Sequence, residues 1–579
     1  MNPVPGSLRL FRVLKAAAWA GCLVSVLSAR AIAQVGSGVP AGPAQAFADT
    51  AIAPDAQGMA FGLVGDSVVR ARCEGAPIRR LEVQCLDIFD PVPASRFAAL
   101  YRVANLLHVR TRPATVRSQL LISPGQVWTA DRLAESQRLL RNLEFMEPDA
   151  IRSRLVSDSV DVLVVTHDQW TTQPELNLER GGGRTFGSVG FTERNLLGLG
   201  VGVSFAIRND PAGQTRSADV SGRRLFGTQL EAQFKAGTGS GGVSNAAFVR
   251  DPFRSIDDTR SWTVGGVRAT SEQLLFKSGS VAAHFPFQFE QGQLEYAFGG
   301  RAADGLARRY AFGLSRHDRH YGTTVSEPGI AIAFPAGPEE LKLRWLSARA
   351  TFWRPQFIER RGIELFDPVE DFDLGSLVSV EGGLVLRMLG STADEGLARI
   401  RLESGRETKR FGFGYVRGRL STRLRGGPHE TLAHLDARWI QQPRRDVAVV
   451  VAALAEASNR APREVQSIVG GLNGLRAYPV QALAGTEIWR FNAETRWVAA
   501  RNVWDLASLG GALFVDAARA WGAGGDHEPW HHDAGFGLRV SFPHASLHQV
   551  ARFDIAFPLS PSRDGRHEPV FSFGSSQAF

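Results

Sequence analysis

From about residue 173 to the C-terminus, apolar and polar side chains alternate with a period of two, and this pattern constrains the fold more than any other feature. In Gln229 to Lys235, Leu230, Ala232 and Phe234 share one face, and Gln229, Glu231, Gln233 and Lys235 the other. Arg399 to Glu403 sets Ile400 and Leu402 against Arg399, Arg401 and Glu403. Trp489, Phe491, Ala493, Thr495 and Trp497 alternate with Arg490, Asn492, Glu494 and Arg496; Phe553, Ile555, Phe557 and Leu559 oppose Arg552 and Asp554. A two-residue repeat is the signature of strands with unlike faces. Beyond the N-terminus the longest fully apolar stretch, Val447 to Ala455, has strand length, whereas a spanning helix needs ~20 such residues. A helical membrane protein is thereby excluded, and a chain of 579 residues is long enough to bury a large core, which excludes a disordered one.

Two classes remain: a soluble β-rich protein, or a membrane barrel whose opposite faces average to the observed mean hydropathy of −0.11. Few helical signals are present to cover so large a sheet, and an open sheet would leave vulnerable edges. A closed barrel with apolar residues toward lipid and a charged lumen has none. Sixteen to eighteen strand candidates at a spacing of ~10 residues plus loops fit such a barrel. The expected fold class is mainly β: a transmembrane antiparallel barrel of sixteen strands over 173–579, preceded by a small α+β domain.

The N-terminus reads as an export signal over residues 1–33. Arg9, Arg12 and Lys15 precede the apolar run Ala16 to Leu27, and Ala31-Ile32-Ala33 offers small residues for cleavage before Gln34. Residues 34–72, rich in Ala, Gly and Pro, are expected to be a flexible linker. Residues 73–170 suggest the α+β module. A strand is expected over Leu81 to Phe89, and a helix over Ser95 to Leu107 with Phe97, Leu100, Tyr101 and Ala104 on one face. A second helix is capped by Thr129 and continues through Leu143, followed by strands Ala150 to Val156 and Val160 to Thr166. Once the signal leaves with Cys22, only Cys73 and Cys85 remain, and in an oxidising compartment they are a candidate disulfide.

Three segments resemble the BamA/TamA family of outer-membrane assembly proteins, also called the bacterial surface antigen family. Gly190-Phe191-Thr192-Glu193-Arg194-Asn195-Leu196-Leu197-Gly198 is similar to the family's barrel-opening signature, with Asn195, Leu196 and Gly198 at its key positions. Gly470-Gly471-Leu472-Asn473-Gly474-Leu475-Arg476-Ala477-Tyr478-Pro479 resembles the loop that the family inserts into the lumen. Gly470, Gly471, Leu475, Arg476 and Tyr478 are its motif residues; Ala477 stands where the family carries glycine. Phe514-Val515-Asp516-Ala517-Ala518 resembles the strand that supplies the acid, here Asp516, which pairs with the loop arginine. The end of the chain, with Phe571, Phe573 and the terminal Phe579, is similar to the last strand read as an assembly signal. The resemblance implies that residues 73–170 are a single POTRA-like periplasmic domain. A bidentate bond from Arg476 to Asp516 would compensate a guanidinium in a narrow lumen.

Other candidate chemistry weighs less. Gly237 to Gly242 satisfies G-x-G-x-x-G but lacks a following helix, so a hairpin turn is expected. His317 and His320, and the group His527, His531 and His532, read as loop residues at irregular spacing, and no metal site or cofactor is expected. No G-x-S-x-G elbow occurs, and no enzyme activity is expected. The 66 basic residues include only five lysines and give a net charge of +8. Arginine is dispersed rather than patched, which argues against nucleic acid as a partner. The resemblance implies a place in the outer membrane of a Gram-negative-type bacterium, with the N-terminal domain in the periplasm. It implies insertion or assembly of outer-membrane proteins. The partners would be outer-membrane lipid, unfolded clients or a secreted protein, and periplasmic proteins met through the POTRA-like domain. The alternative is a secretion pore gated by the Arg476 loop.

Overall fold

The computed structural model describes residues 61–579 except 64, 94–95, 182–183, 211–212, 241, 278, 330–338, 409–411, 472–473, 523–528, 547–549, 561–567, 576 and 578–579. The expected signal at 1–33, the linker over 34–60 and the terminal Phe579 lie outside the described residues. Two compact units are formed. One joins 61–82, 122–133 and 150–164; the other joins 83–121, 134–149 and 165–579.

The first unit contains a helix where a linker was expected, Ser67–Cys73, started by the Asp66 carboxylate accepting from the Val68 N–H at 2.8 Å. That contact satisfies one of the unpaired donors of a helix start. Its core is built on Trp128, fully buried, with the indole N–H donating to Ser153 Oγ at 2.9 Å. Arg79 grips Asp161 bidentately at 2.9 and 2.6 Å, and Arg154 adds a bond at 3.3 Å. The bonds from Arg79 hold the Asp161 carboxyl below the usual carboxylate range. A carboxylate depressed in the folded state contributes stability that is complete above the unfolded pKa of ~3.9 and is lost as pH falls through the folded value. Asp161→Asn should therefore speed hydrogen exchange in Ser159–Asp168 at pH 7. Its difference from wild type should shrink steadily below pH ~4; a difference independent of pH would refute the assignment.

A four-stranded sheet takes the order Gly62–Leu63, Met146–Val156, Ser159–Asp168, Ile78–Leu86. It agrees with the expected strands to within a few residues. In the second unit the helix Ala98–Leu107 buries Tyr101 completely, stacked on Phe89 at 4.5 Å. Leu100, placed on the buried face by the sequence, is instead 53% exposed. The buried stripe follows Phe97, Tyr101, Ala104 and His108, and Leu100 lies about 100° away from Tyr101 around the helix. The short helix Pro113–Gln119, with proline at its first position, was not foreseen.

The expected disulfide is not formed: Cys73 and Cys85 are free, buried thiols. Cys73 ends the Ser67–Cys73 helix and Cys85 points into the core from Ile78–Leu86. Each behaves as a small hydrophobe, and burial pushes both thiols up from their ordinary pKa. Neither cysteine should react with iodoacetamide at pH 7 until the chain is unfolded, and then both should. Loss of both labels under non-reducing denaturation would restore the bridge.

The remainder of the second unit is a closed antiparallel barrel. Among the described residues twenty strands follow one another around the ring from Thr172–Gly181 to Val570–Ser575, which returns to the first, and the two-residue piece Val325–Ser326 pairs beside Ser280–Arg301. The sixteen strands expected are thus too few. Six strands of nine or ten residues are packed between Thr172 and Asp251, joined in part by tight turns, so a spacing set by longer strands undercounts them. Among the described residues no helix is long and apolar enough to cross a membrane. The strand exteriors carry that surface. Leu294, Leu314, Leu346 and Leu384 stand side by side on four neighbouring strands, each 46–62% exposed.

Because every neighbour is antiparallel, connections alternate between a proximal rim, where Thr172 begins, and a distal rim. The proximal segment between Glu340–Arg354 and Ser376–Val385 folds inward as a small hairpin, Phe357–Arg360 with Glu370–Asp373. Its Ile363 and Leu374 pack on Phe413, Ile440 and Val450. The distal segment between Val447–Asn459 and Glu487–Val503 folds inward from the other side, pairing Ser467–Val469 with Leu483–Gly485.

Candidate functional site: the lumen loop and its carboxylate cage

The alternation in Glu487–Val503 decides what the distal loop meets. Asn492, Glu494 and Arg496 point inward and are buried at 1–2% exposure. Register carries this face around the wall: Asn492 lies opposite Asp516, and Asp516 opposite Asp533. Asp554 and Arg552 on Val550–Pro558 and Arg539 on His531–Ser541 complete a buried charged surface.

The loop delivers Arg476 into this surface. Its guanidinium donates bidentately to Asp516 at 2.8 and 3.0 Å, to Glu494 at 2.8 Å, and approaches Asp554 at 3.5 Å. It also lies 3.3 Å from the centroid of the Phe514 ring. A fully buried charge is tolerable only with such compensation. Asp516 is fixed in turn by Asn492, whose amide donates to it at 2.8 Å and to the Gly474 carbonyl at 3.1 Å. Arg539 donates to Asp554 at 2.5 Å and lies 3.4 Å from Glu494. The Ala477 N–H donates to Asp533 at 3.0 Å. The Tyr478 hydroxyl sits 3.0 and 2.9 Å from the carbonyl oxygens of His532 and Ser560.

The loop backbone explains its glycines. Gly471 has φ +60° and Gly474 φ +93°, and a Cβ on Gly474 would stand 2.3 Å from Arg490 Cδ. Ala477 is not among the residues with positive φ, so the position given to glycine in the resembling family needs none here. Val469, Leu475, Tyr478 and Leu483 form a dry cluster with Ile488 and Phe514.

A chain of charges leaves the cage toward the proximal rim. Arg496 donates to Glu494 at 3.0 Å and to the Ile363 carbonyl at 3.0 Å, and lies 3.4 Å from Glu364. The hairpin that carries these residues is held further along by Arg141, bonded to Asp371 at 2.8 and 2.6 Å and to Glu359 at 2.7 Å. The two inward segments are therefore joined through Arg496.

The second sequence motif occupies the proximal rim. Asn195 is buried: its amide donates to Thr111 Oγ1 at 2.7 Å and its carbonyl accepts from the Gly200 N–H at 2.7 Å. Leu196 to Gly198 form a single 3-10 turn, with Leu197 at φ 55° and Gly198 at φ +72°. Arg112 and Thr115 bond to this turn: the Arg112 N–H and Thr115 hydroxyl reach the Gly198 carbonyl at 3.1 and 2.9 Å. Phe571 and Phe573 lie on the apolar exterior of the last strand, Phe573 packed on Phe553 at 4.8 Å.

The sequence picked out Arg476 and Asp516; the structure brings them together and adds Glu494, Asp533, Arg539 and Asp554. Their signal was the polar half of the alternation, legible as a face but not as partners. Of the other candidates, Gly237 to Gly242 lies on the hairpin between Glu231–Gly239 and Gly242–Asp251. His317 and His320 belong to the strand Ala307–Tyr321 rather than to a loop. His531 is buried against Tyr478, their rings 5.1 Å apart, and His527 lies outside the described residues. Among the described residues no group of three His, Cys, Asp or Glu side chains is placed to hold a metal.

Residues 465–579, which contain the lumen loop and every member of the cage, match the Omp85 superfamily domain. The chain carries an Omp85 superfamily domain. A curated relative, the outer membrane protein assembly factor BamA of Neorickettsia risticii (strain Illinois), is 26% identical over 128 residues, 22% of this chain and 17% of the relative. The chain thus matches less than a fifth of that relative's length. Among solved structures, BamA from Haemophilus ducreyi lacking POTRA domains 1–3 is similar at 12% identity, covering 86% of this chain and 85% of that one, with a TM-score of 0.39. CdiB from Escherichia coli is similar at 10% identity over 86% and 76%, with a TM-score of 0.42. The chain is a closed antiparallel β-barrel with an apolar exterior and a charged interior, and its C-terminal part, 465–579, is the Omp85 superfamily domain.

Proposed function

We propose that this Omp85 chain inserts or assembles proteins into the outer membrane, with the junction of its last and first strands as the template. The observation that carries the reading is the closing strand. Val570–Ser575, the last described strand, runs beside Thr172–Gly181, so the ring closes by joining the strands at its two ends. At such a seam strand groups can be freed without breaking a hairpin, and unpaired strand groups are a ready template for another chain. The lumen supports the same reading, because both inward segments enter it and the Arg476 cage fixes one of them. The N-terminal residues serve in this proposal as a POTRA-like periplasmic module. Ile78–Leu86 is an outer strand of its sheet, available for a client strand to add by augmentation.

The deciding experiment reconstitutes the purified protein in liposomes and adds a urea-denatured client barrel. Client folding, read by gel mobility without heating, should be accelerated relative to empty liposomes. Cysteines placed across the closing junction should abolish the acceleration when oxidised and restore it on reduction. Unchanged client folding together with steady ion conductance would replace this reading by a secretion pore.

A further inference from the structure

A second charged surface in the lumen takes no part in the cage. A cavity of about 680 Å³ is lined by Arg309, Arg349, Arg399, Arg401 and Arg419, together with Glu381 and Glu456. Three of the arginines are balanced: Arg349 by Glu295 at 2.5 Å, Arg399 by Glu381 at 3.1 Å, Arg401 by Glu403 at 2.5 Å. The other two are not. Arg309 donates to the Ser255 carbonyl and lies over the Phe253 ring. Arg419, among the described residues, has no carboxylate partner and is exposed to the cavity.

Register sharpens the point. Arg401 and Arg419 are directly opposite one another on neighbouring strands, whereas His434, opposite Arg419 on its other side, sits 3.3 Å from Glu456. Like charges in directly paired positions are destabilising, and the wall holds the two arginines together. A cavity of this size is suited to a small solute, and walls bearing one excess sign concentrate counter-ions. Guanidinium groups match phosphate and carboxylate oxygens in geometry as well as charge. We propose that this cavity binds a multivalent oxyanion, a phosphate- or carboxylate-bearing small solute, between Arg401 and Arg419, with Arg309 and Arg349 at its margin. The site does not depend on the insertion reading, since it needs neither the closing junction nor a client.

The test is titration calorimetry of the full chain in detergent micelles at low salt, with sodium tripolyphosphate and with citrate in separate arms. Saturable binding of tripolyphosphate alone assigns phosphate chemistry, of citrate alone carboxylate chemistry, and of both a general oxyanion site. The double variant Arg401→Gln/Arg419→Gln should weaken binding tenfold or more, as expected on losing two charged hydrogen-bond donors. Arg301→Gln, at the rim and paired with Asp257, should bind as wild type. Arg419→Gln alone removes a side chain without a carboxylate partner, so its folding is secure, and it should show part of the loss. No saturable binding of either anion, or equal binding by wild type and the Arg419→Gln variants, overturns the proposal.

Discussion

Replacing Arg476 with alanine should release the distal loop from the lumen while leaving the barrel wall intact. The substitution strips Asp516, Glu494 and Asp554 of a shared cation in a place where each is buried. Removing one partner of a buried ion pair typically costs about 3–5 kcal/mol, because the remaining charge is left uncompensated. Relief comes through movement of the loop or entry of water. The wall is held by strand hydrogen bonds that do not involve Arg476, so the boiled and unboiled forms should still migrate differently on a denaturing gel. Proteolysis or hydrogen exchange of 467–485 should rise sharply, and acceleration of client folding should fall to the level of empty liposomes. Arg476→Lys keeps the charge but loses the fork that grips Asp516, and should fall between. Arg476→Ala combined with Asp516→Asn should recover part of the stability, since it removes one orphaned charge and the two effects are coupled. Undiminished loop protection in Arg476→Ala would show that the dry cluster around Leu475 and Tyr478, rather than the cage, holds the loop.

The cage also shows where sequence reading runs out. Trp489 to Trp497 displays its two faces in its letters, and the structure places the tryptophan face outward and the Glu494 face inward. What the letters lack is register. Glu494, Asp516, Asp533 and Asp554 come from four strands, and nothing in a period of two says which residues stand opposite. Arg476 and Asp516 were found by resemblance to a motif rather than by any property of the chain. Strand count failed for a related reason: the ten-residue strands between Thr172 and Asp251 turn over within a few residues, and alternation continues across a tight hairpin without an obvious break. The cysteines erred in a third way. An even number of thiols says nothing about whether their side chains point toward one another.

Gly198→Val should detach the proximal turn from the segment that carries Arg110, Arg112 and Thr115. Two penalties coincide there. The backbone sits at φ +72°, a left-handed conformation costly for a β-branched residue, and an added Cβ would stand 2.5 Å from the Arg110 carbonyl oxygen. The Cβ position is fixed by the backbone and its partner is a backbone carbonyl, so no side chain can swing away to relieve it. Strain of this kind is worth on the order of 1–3 kcal/mol for the conformation alone, and the steric clash adds to it. The turn must move, and with it go the bonds from Arg112 and Thr115 to the Gly198 carbonyl and the buried bond between Asn195 and Thr111. Hydrogen exchange should rise together in 110–116 and 195–200, while the exterior leucine row at 294, 314, 346 and 384 and the Arg476 cage remain protected. Asn195→Ala removes the polar anchor without touching the glycine, and should reproduce the same pattern more weakly. If Gly198→Val left exchange in 110–116 unchanged, the contact between this turn and that segment would not be what holds either in place.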